Sequence, residues 1–319
     1  MMAGEGLREI GSQGQIPSTP EWKRIWRTFR RNKAALAGGA FVIFLLLFVV
    51  LGPEILPYKY DQSDFSRLLE PPSASHWLGT DSLGRDILAR LAFGGRVSLG
   101  VAVLANSVIL FIGMPLGLLS GYFGGWFDIL VMRVVDTLWA LPNVMLMIAV
   151  MSFLNSWVEY AEPGPFFFIA RAYDATGGLI ALFIGFAAGW WLGDCRVIRG
   201  MVLSLREKQF VLAARCVGAT DPRILLRHIL PNVIPIALVS MALGVPGAVV
   251  TEAGLSFLGL GVRPPTPSWG SMISEGTTYL LGAPHILISP AVILALTTIS
   301  LNFLADGLRD AMDPWMRGR

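Results

Sequence analysis

Apolar residues in this chain come in long unbroken blocks, not in the alternating rhythm of half-buried elements. Ala34–Leu51 carries no charged residue, and as a helix it is long enough to cross a hydrocarbon core of roughly 30 Å. Further blocks predict six spans, at about 34–55, 97–119, 129–153, 178–194, 233–253 and 287–307. The fourth is short and glycine-rich. Two larger polar stretches, 56–96 and 195–232, and two smaller ones, 154–177 and 254–286, separate the blocks. Residues 1–33 are too polar for the apolar core of a signal peptide, and no small-x-small cleavage site follows the first block. Ala34–Leu51 therefore reads as a retained span. The expected division is an N-terminal segment 1–33, a first helix 34–55, an exterior segment 56–96, a core bundle 97–307 containing the loop 195–232, and a tail 308–319.

Composition agrees with an all-α polytopic membrane bundle. Of 319 residues 54% are hydrophobic and 15% charged, where a soluble domain carries about 25% charged. Mean hydropathy is +0.61. The net charge of +3 says little about partners, but the placement of basic residues says more. With the N-terminus inside, the inner segments hold seven in 1–33, Arg133, seven in 195–232 and three in the tail. The outer segments hold five in 56–96, Arg171 and Arg263. This bias puts both termini in the cytoplasm. Cys195 and Cys216 then face the cytoplasm as free thiols. Gly113, Gly117, Gly121 and Gly125 recur every fourth residue, as do Gly185, Gly189 and Gly193, a spacing that lets helices pack closely in lipid.

The most informative stretch runs from Phe210 to Asn232. Good helix formers extend from Leu205 to Val217, and Gly218 suits the left-handed residue that ends a helix. Asp221 before Pro222 reads as a restart, with the carboxylate capping exposed amides. A second short helix, Arg223–Leu230, is expected to stop at Pro231. Ala213, Ala214 and Gly218 offer a small surface rimmed by Arg206, Lys208, Arg215, Arg223 and Arg227. Such a knob fits a groove on another protein, or lies as an amphipathic pair on anionic headgroups.

Ala213, Ala214, Gly218, His228, Leu230 and Pro231 fall in register with the cytoplasmic loop motif of ATP-binding-cassette importer permeases, which this stretch resembles. Leu212 stands where that family usually has Glu. Other stretches are similar to the dipeptide, oligopeptide and nickel branch: His76–Asp86 continuing through Arg90 to Leu99, Leu255–Gly261 with Pro264–Gly270, and the tail Asp306–Pro314. The chain looks most like the second of the two permeases in such a system, with 154–177 as an unmatched insert. The resemblance implies a multi-pass inner-membrane permease for peptides, or for nickel or another small solute. Its implied partners are a sibling permease in a heterodimer, two ATPase subunits, an extracytoplasmic substrate-binding protein and the lipid bilayer, with no nucleic acid. It implies that ATP and Mg bind the partner subunits and that this chain holds no cofactor. Docking on the ATPase falls to Leu212, Ala213, Ala214, Arg215, Gly218, Asp221, Arg227, His228, Leu230 and Pro231.

In that family the fifth span lines the path, so Ser240, Gly244, Gly247, Thr251 and Glu252 are candidate path residues. Glu252, at membrane depth, faces a cavity and contacts a substrate amine, or pairs within the bundle. Outside, Asp81, Arg85, Asp86 and Arg90 form an exterior gate or binding-protein contact, or a connector whose ion pairs fix its shape. Pro264–Trp269 reads as a stiff re-entrant connection with Trp269 anchored at the interface. None of Lys23, Lys33, Lys59 and Lys208 follows a glycine, so no phosphate-binding loop is present. His76, His228 and His285 have no metal-ligand spacing, and the sequence has no nucleophile elbow. An ion-driven transporter predicts buried paired carboxylates in the spans and often inverted repeats, and neither is visible.

Overall fold

A computed structural model describes residues 29–160, 162, 164 and 167–312. Among these, all regular structure is helical, apart from one isolated bridge between Thr80 and Asp86. The helices are α1 (Lys33–Ile55), α2 (Ile87–Val108), α3 (Met114–Phe123), α4 (Gly125–Trp139), α5 (Asn143–Glu159), α6 (Phe167–Ala175) and α7 (Leu179–Gly189). They continue as α8 (Leu192–Leu205), α9 (Gln209–Cys216), α10 (Asp221–Ile224), α11 (Leu230–Phe257), α12 (Trp269–Thr277) and α13 (His285–Met312).

Four runs are long and apolar enough to cross a bilayer alone: Lys33–Ile55, Ile87–Phe123, Asp221–Phe257 and His285–Ala311. Two bent pairs raise the number to six if each pair is one span. These are α4 with α5, bent by 90°, and α6 with α7, bent by 118°. The continuous third span expected at 129–153 is therefore broken. Pro142 precedes α5 with ψ 124°, outside the helical region, and its ring disfavours helix at the residue before it, so the helix ends and restarts in a new direction. The second span also begins earlier than expected. Asp86 caps α2 by accepting the Ala89 N–H at 2.8 Å, so 87–96 are helix rather than exterior connector.

Three prolines inside the long runs are accommodated in two ways. Pro115 and Pro231 each follow one wide turn, Ile109–Gly113 and Leu225–Ile229. There Met114 N–H reaches Ile109 O and Leu230 N–H reaches Leu225 O, five residues back. The wider turn makes room for a ring that lacks an N–H and would strike the carbonyl four residues earlier. Pro231 consequently does not stop the second loop helix, and α10 passes through its wide turn into α11. In α1, Pro53 frees the carbonyl of Val49. Arg96 of α2 supplies the donors instead, with Nε 2.9 Å from Val49 O and an Nη 2.6 Å from Val50 O.

Small residues set the closest helix contacts. A Cβ added at Gly113, Gly117 or Gly121 would meet α8 or the residue before it: Trp191 O at 3.1 Å, Cys195 O at 2.6 Å, and Arg199 O at 2.8 Å. Gly125 lies outside this stripe, with nothing within 4 Å. On α7, Gly185 sits under Met151 of α5, and on α8 Gly193 sits under Trp139. Gly38 of α1 packs on Ser300 of α13, running antiparallel, so the start of α1 and the end of α13 share one end of the bundle. Tyr122 and Asp221 meet at the same end. It is called the loop end below, and the opposite one the far end.

The largest buried cluster joins α1, α2, α5, α7, α11, α12 and α13 around Leu45, Met147, Phe186 and Trp269. A second, at the loop end, packs Leu118 and Tyr122 against Ile198, Val202, Val211, Ala214, Ile224 and Ile229.

Candidate functional site

At the loop end the chain leaves α8 at Leu205 and re-enters helix at Gln209, so the first loop helix is shorter than the expected 205–217. Its end follows the glycine signal. Gly218 has φ +79°, its N–H reaches Arg215 O at 2.9 Å, and Ala219 N–H reaches Ala214 O at 3.0 Å. This pair of bonds closes a helix terminus around a left-handed residue. Pro222 stands in the first turn of α10 as expected. Asp221 does not cap that helix. Its Oδ1 instead accepts the Tyr122 hydroxyl at 2.6 Å.

The outward surface of α9 and its turn is apolar. Val217 is 84% exposed, and Phe210, Leu212 and Ala213 are exposed as well. An open concavity of about 460 Å³ is lined by Phe210, Ala213, Val217, Gly218, Arg223 and His228 among others. Ala214 corrects the expected knob. Although it touches the concavity, it is 8% exposed and belongs to the buried loop-end cluster. Arg215, Arg223 and Arg227 are exposed around the face. Leu230 is half-buried, and Pro231 is exposed beyond the wide turn. The sequence reading missed the apolar residues Phe210 and Val217, although their spacing of seven marks one face of a helix.

At the far end, Asp81, Arg85, Asp86 and Arg90 are all buried, between 1% and 6% exposed, and are not weak surface pairs. Asp81 receives Arg85 Nε at 2.7 Å and also Arg90. Arg90 reaches on to Glu275 of α12 at 2.8 and 3.2 Å. Asp86, besides capping α2, meets His76 Nδ1 at 2.9 Å, and His76 stacks on Tyr58. Glu275, 185 positions from Arg90, is the member that local spacing could not reveal. Nearby, two donors from Ser66 hold the exposed Asp64 carboxyl below its ordinary value. Burial of charges in this way is tolerable only when each is paired, so the cluster fixes the segment 64–90 to α12.

Along α11, Glu252 is fully buried. Its two oxygens accept from Ser98 Oγ at 2.7 Å and Ser256 Oγ at 2.6 Å, and Ser98 Oγ accepts the Trp269 N–H at 3.2 Å. The carboxylate thus ties α11 to α2 and α12 within the bundle. Trp269 is likewise buried, not anchored at an interface, and donates Nε1–H to Leu91 O at 3.0 Å. Gly244 lies against Asn106, whose side-chain oxygen accepts Trp190 Nε1–H at 3.1 Å, and Gly247 packs near the Trp190 ring. Thr251 and Ser240 are half-buried. The unmatched insert contributes α6, where Tyr173 donates to Asn155 at 2.7 Å and carries Arg263 over its ring at 4.7 Å.

A family model described as the inner membrane component of binding-protein-dependent transport systems matches residues 113–318. One described as the N-terminal transmembrane domain of oligopeptide transport permease C matches 21–72. The glutathione transport system permease protein GsiD of Pectobacterium atrosepticum is 37% identical over 297 residues, covering 93% of this chain and 92% of that one. The oligopeptide transport system permease protein OppC of Bacillus subtilis is 38% identical over 296 residues, covering 93% and 90%. A chain of the MetNI methionine ABC transporter, solved in inward-facing conformations, superposes with a TM-score of 0.48 at 19% identity, covering 71% of this chain and 97% of that one. The chain belongs to the binding-protein-dependent transport permeases. It is a membrane-spanning transport subunit of an ATP-binding-cassette importer, not an enzyme.

Proposed function

We propose that this permease imports peptides, pairing with a sibling permease around a central path, and that the 205–231 loop is where a separate ATPase docks. The single observation that carries the docking site is the α9 turn. Val217, Phe210, Leu212 and Ala213 are exposed together with a ring of arginines, on the outward side of an element whose inner side packs on the bundle. Apolar side chains held in this way at the end of a membrane bundle are suited to a protein partner, because exposed apolar patches rimmed by charge mark interaction surfaces. A buried Ala214 beneath the face keeps the short helix close to the bundle, so load on the face passes into it. The cargo class rests on the relatives, whose names state glutathione and oligopeptide transport.

On this reading the loop end is cytoplasmic, both termini lie there, and the far end meets the binding protein. Two ATPases hold ATP and Mg, and this chain holds neither. Closure of the ATPase pair levers the loop and shifts the bundle between inward- and outward-open states, powered by differential binding to the two. The far-end ion cluster and the residues from Ser240 to Thr251 are then the gate and path candidates. Glu252 serves as their support.

The test is co-purification of the ATPase with wild type, Ala213→Glu and Val217→Asp. Both substitutions place charge on the exposed face and leave Ala214 untouched. Loss of the ATPase from correctly inserted variants supports the docking site. Retention in both sinks it.

A further inference from the structure

Tyr122 is not part of the exposed docking face, yet it touches both halves of the loop behind it. It is the penultimate residue of α3, at the end of the helical run that begins at Ile87. It is 5% exposed, whereas Phe123 beside it is 56% exposed. Its hydroxyl donates to Asp221, the first residue of α10, at 2.6 Å. Its ring lies beneath the Arg215 guanidinium of α9 at 5.5 Å. One side chain therefore bridges the two sides of the Gly218 turn.

Beneath the turn, Val211 and Ala214 of α9 and Ile224 of α10 pack into the loop-end cluster, while its outer edge is open. A Cβ at Gly218 would meet nothing within 4 Å, and Val217 stands almost free. On the other side Tyr122 is firmly based. α3 is locked to α8 by the Gly117 and Gly121 contacts, by Arg206 donating to Gly121 O at 3.2 Å, and by Ser120 and Arg199 sharing the Asp128 carboxylate. Asp221 has no cap to make in its own helix, so its carboxylate is free for this bond.

We infer that Tyr122 is a positioning residue whose bond to Asp221 makes the loop 209–224 and the end of α3 move as one body. It rests on the docking reading above for its consequence. A load applied at α9 enters the α2–α3 run, whose other end carries Asp86 and Arg90. Without the bond the turn swings about Gly218 and the load is lost locally.

The test is a distance distribution between spin labels on the full chain, purified in detergent. One label is on the exposed Cys216 of α9 and the other on Trp126→Cys of α4, a position 74% exposed in the wild-type chain. Cys195 is buried and does not compete for label. In the wild-type background the distribution is narrow. When the ATPase is bound it is unchanged by ATP with vanadate. Tyr122→Phe, which removes only the hydroxyl, broadens it about twofold while the ATPase still co-purifies. Asp221→Asn keeps an acceptor oxygen and broadens it less, and adding it to Tyr122→Phe changes nothing further. A merely stabilising bond lowers the melting temperature without widening this distance. That outcome overturns the inference, as does a wild-type distance that shifts with nucleotide. Loss of the ATPase from Tyr122→Phe with an unchanged distance also overturns it. The width is read without nucleotide, so failure of the docking reading leaves this measurement decisive.

Discussion

Replacing Gly117 by alanine tests one of the close backbone contacts between helices in the bundle. The new Cβ would lie 2.6 Å from Cys195 O and 3.1 Å from two carbons of Ile198. Ordinary carbon–oxygen contact begins near 3.4 Å, so α3 and α8 must part by roughly 0.8 Å or bend. The obstacle is backbone on a helix, which cannot rotate away. Forcing one methyl into a packed contact costs about 1–3 kcal/mol. Parting the helices also stretches the Arg206 bond to Gly121 and the Arg199 pair to Asp128, one turn further along. The control is Gly200→Ala on α8 itself, where an added Cβ meets nothing within 4 Å. That change gains helix propensity of up to about 1 kcal/mol. Thermal melts of the detergent-purified chain, followed by loss of the monodisperse peak on size exclusion, give the answer. Gly117→Ala is expected to melt several degrees below wild type and Gly200→Ala at or above it. Equal melting of the two variants would refute the packing argument.

Other perturbations follow from the same geometry. Asp81→Ala leaves Arg85 and Arg90 buried beside a single acceptor, Glu275, which is itself partly exposed. A loss of about 3–5 kcal/mol is expected, seen as poor accumulation in the membrane, while Glu275→Ala costs less. If Glu275→Ala proves the more damaging of the two, the cluster is organised around α12 rather than Asp81. Glu252→Leu strands the Ser98 and Ser256 hydroxyls and is expected to destabilise by about 1–3 kcal/mol, with Glu252→Gln milder. Equal melting of these two variants would argue against the hydroxyl bonds. An impermeant maleimide is expected to label Cys216 in inverted vesicles and not in right-side-out ones, with Cys195 unlabelled in both. The opposite sidedness would reverse the proposed orientation.

The features legible in the sequence were those written in neighbouring residues. The apolar blocks gave the long helices, because a helix in lipid must be apolar along its whole length. Gly218 marked its own turn, since only a residue without a side chain adopts φ +79° at no steric cost. The stripe at Gly113, Gly117 and Gly121 announced a close contact, though not that α8 fills it. Pro142 was a readable break in the third span that the hydrophobic pattern outweighed. Pro231 was read as a stop because the wide turn that absorbs it leaves no sequence mark. Arg90 with Glu275, Ser98 with Glu252 and Tyr122 with Asp221 depend on helices meeting across the bundle. A single sequence does not bring such partners together.

The most direct test of the central claim is uptake into proteoliposomes holding this chain, its sibling permease and the ATPases, with the binding protein outside and ATP inside. The probes are radiolabelled glutathione and a labelled tripeptide. The account predicts uptake of at least one probe that requires ATP on the loop side and is abolished by Ala213→Glu. Uptake driven by a proton gradient without the ATPases, or ATP-driven uptake undiminished by that substitution, would contradict it.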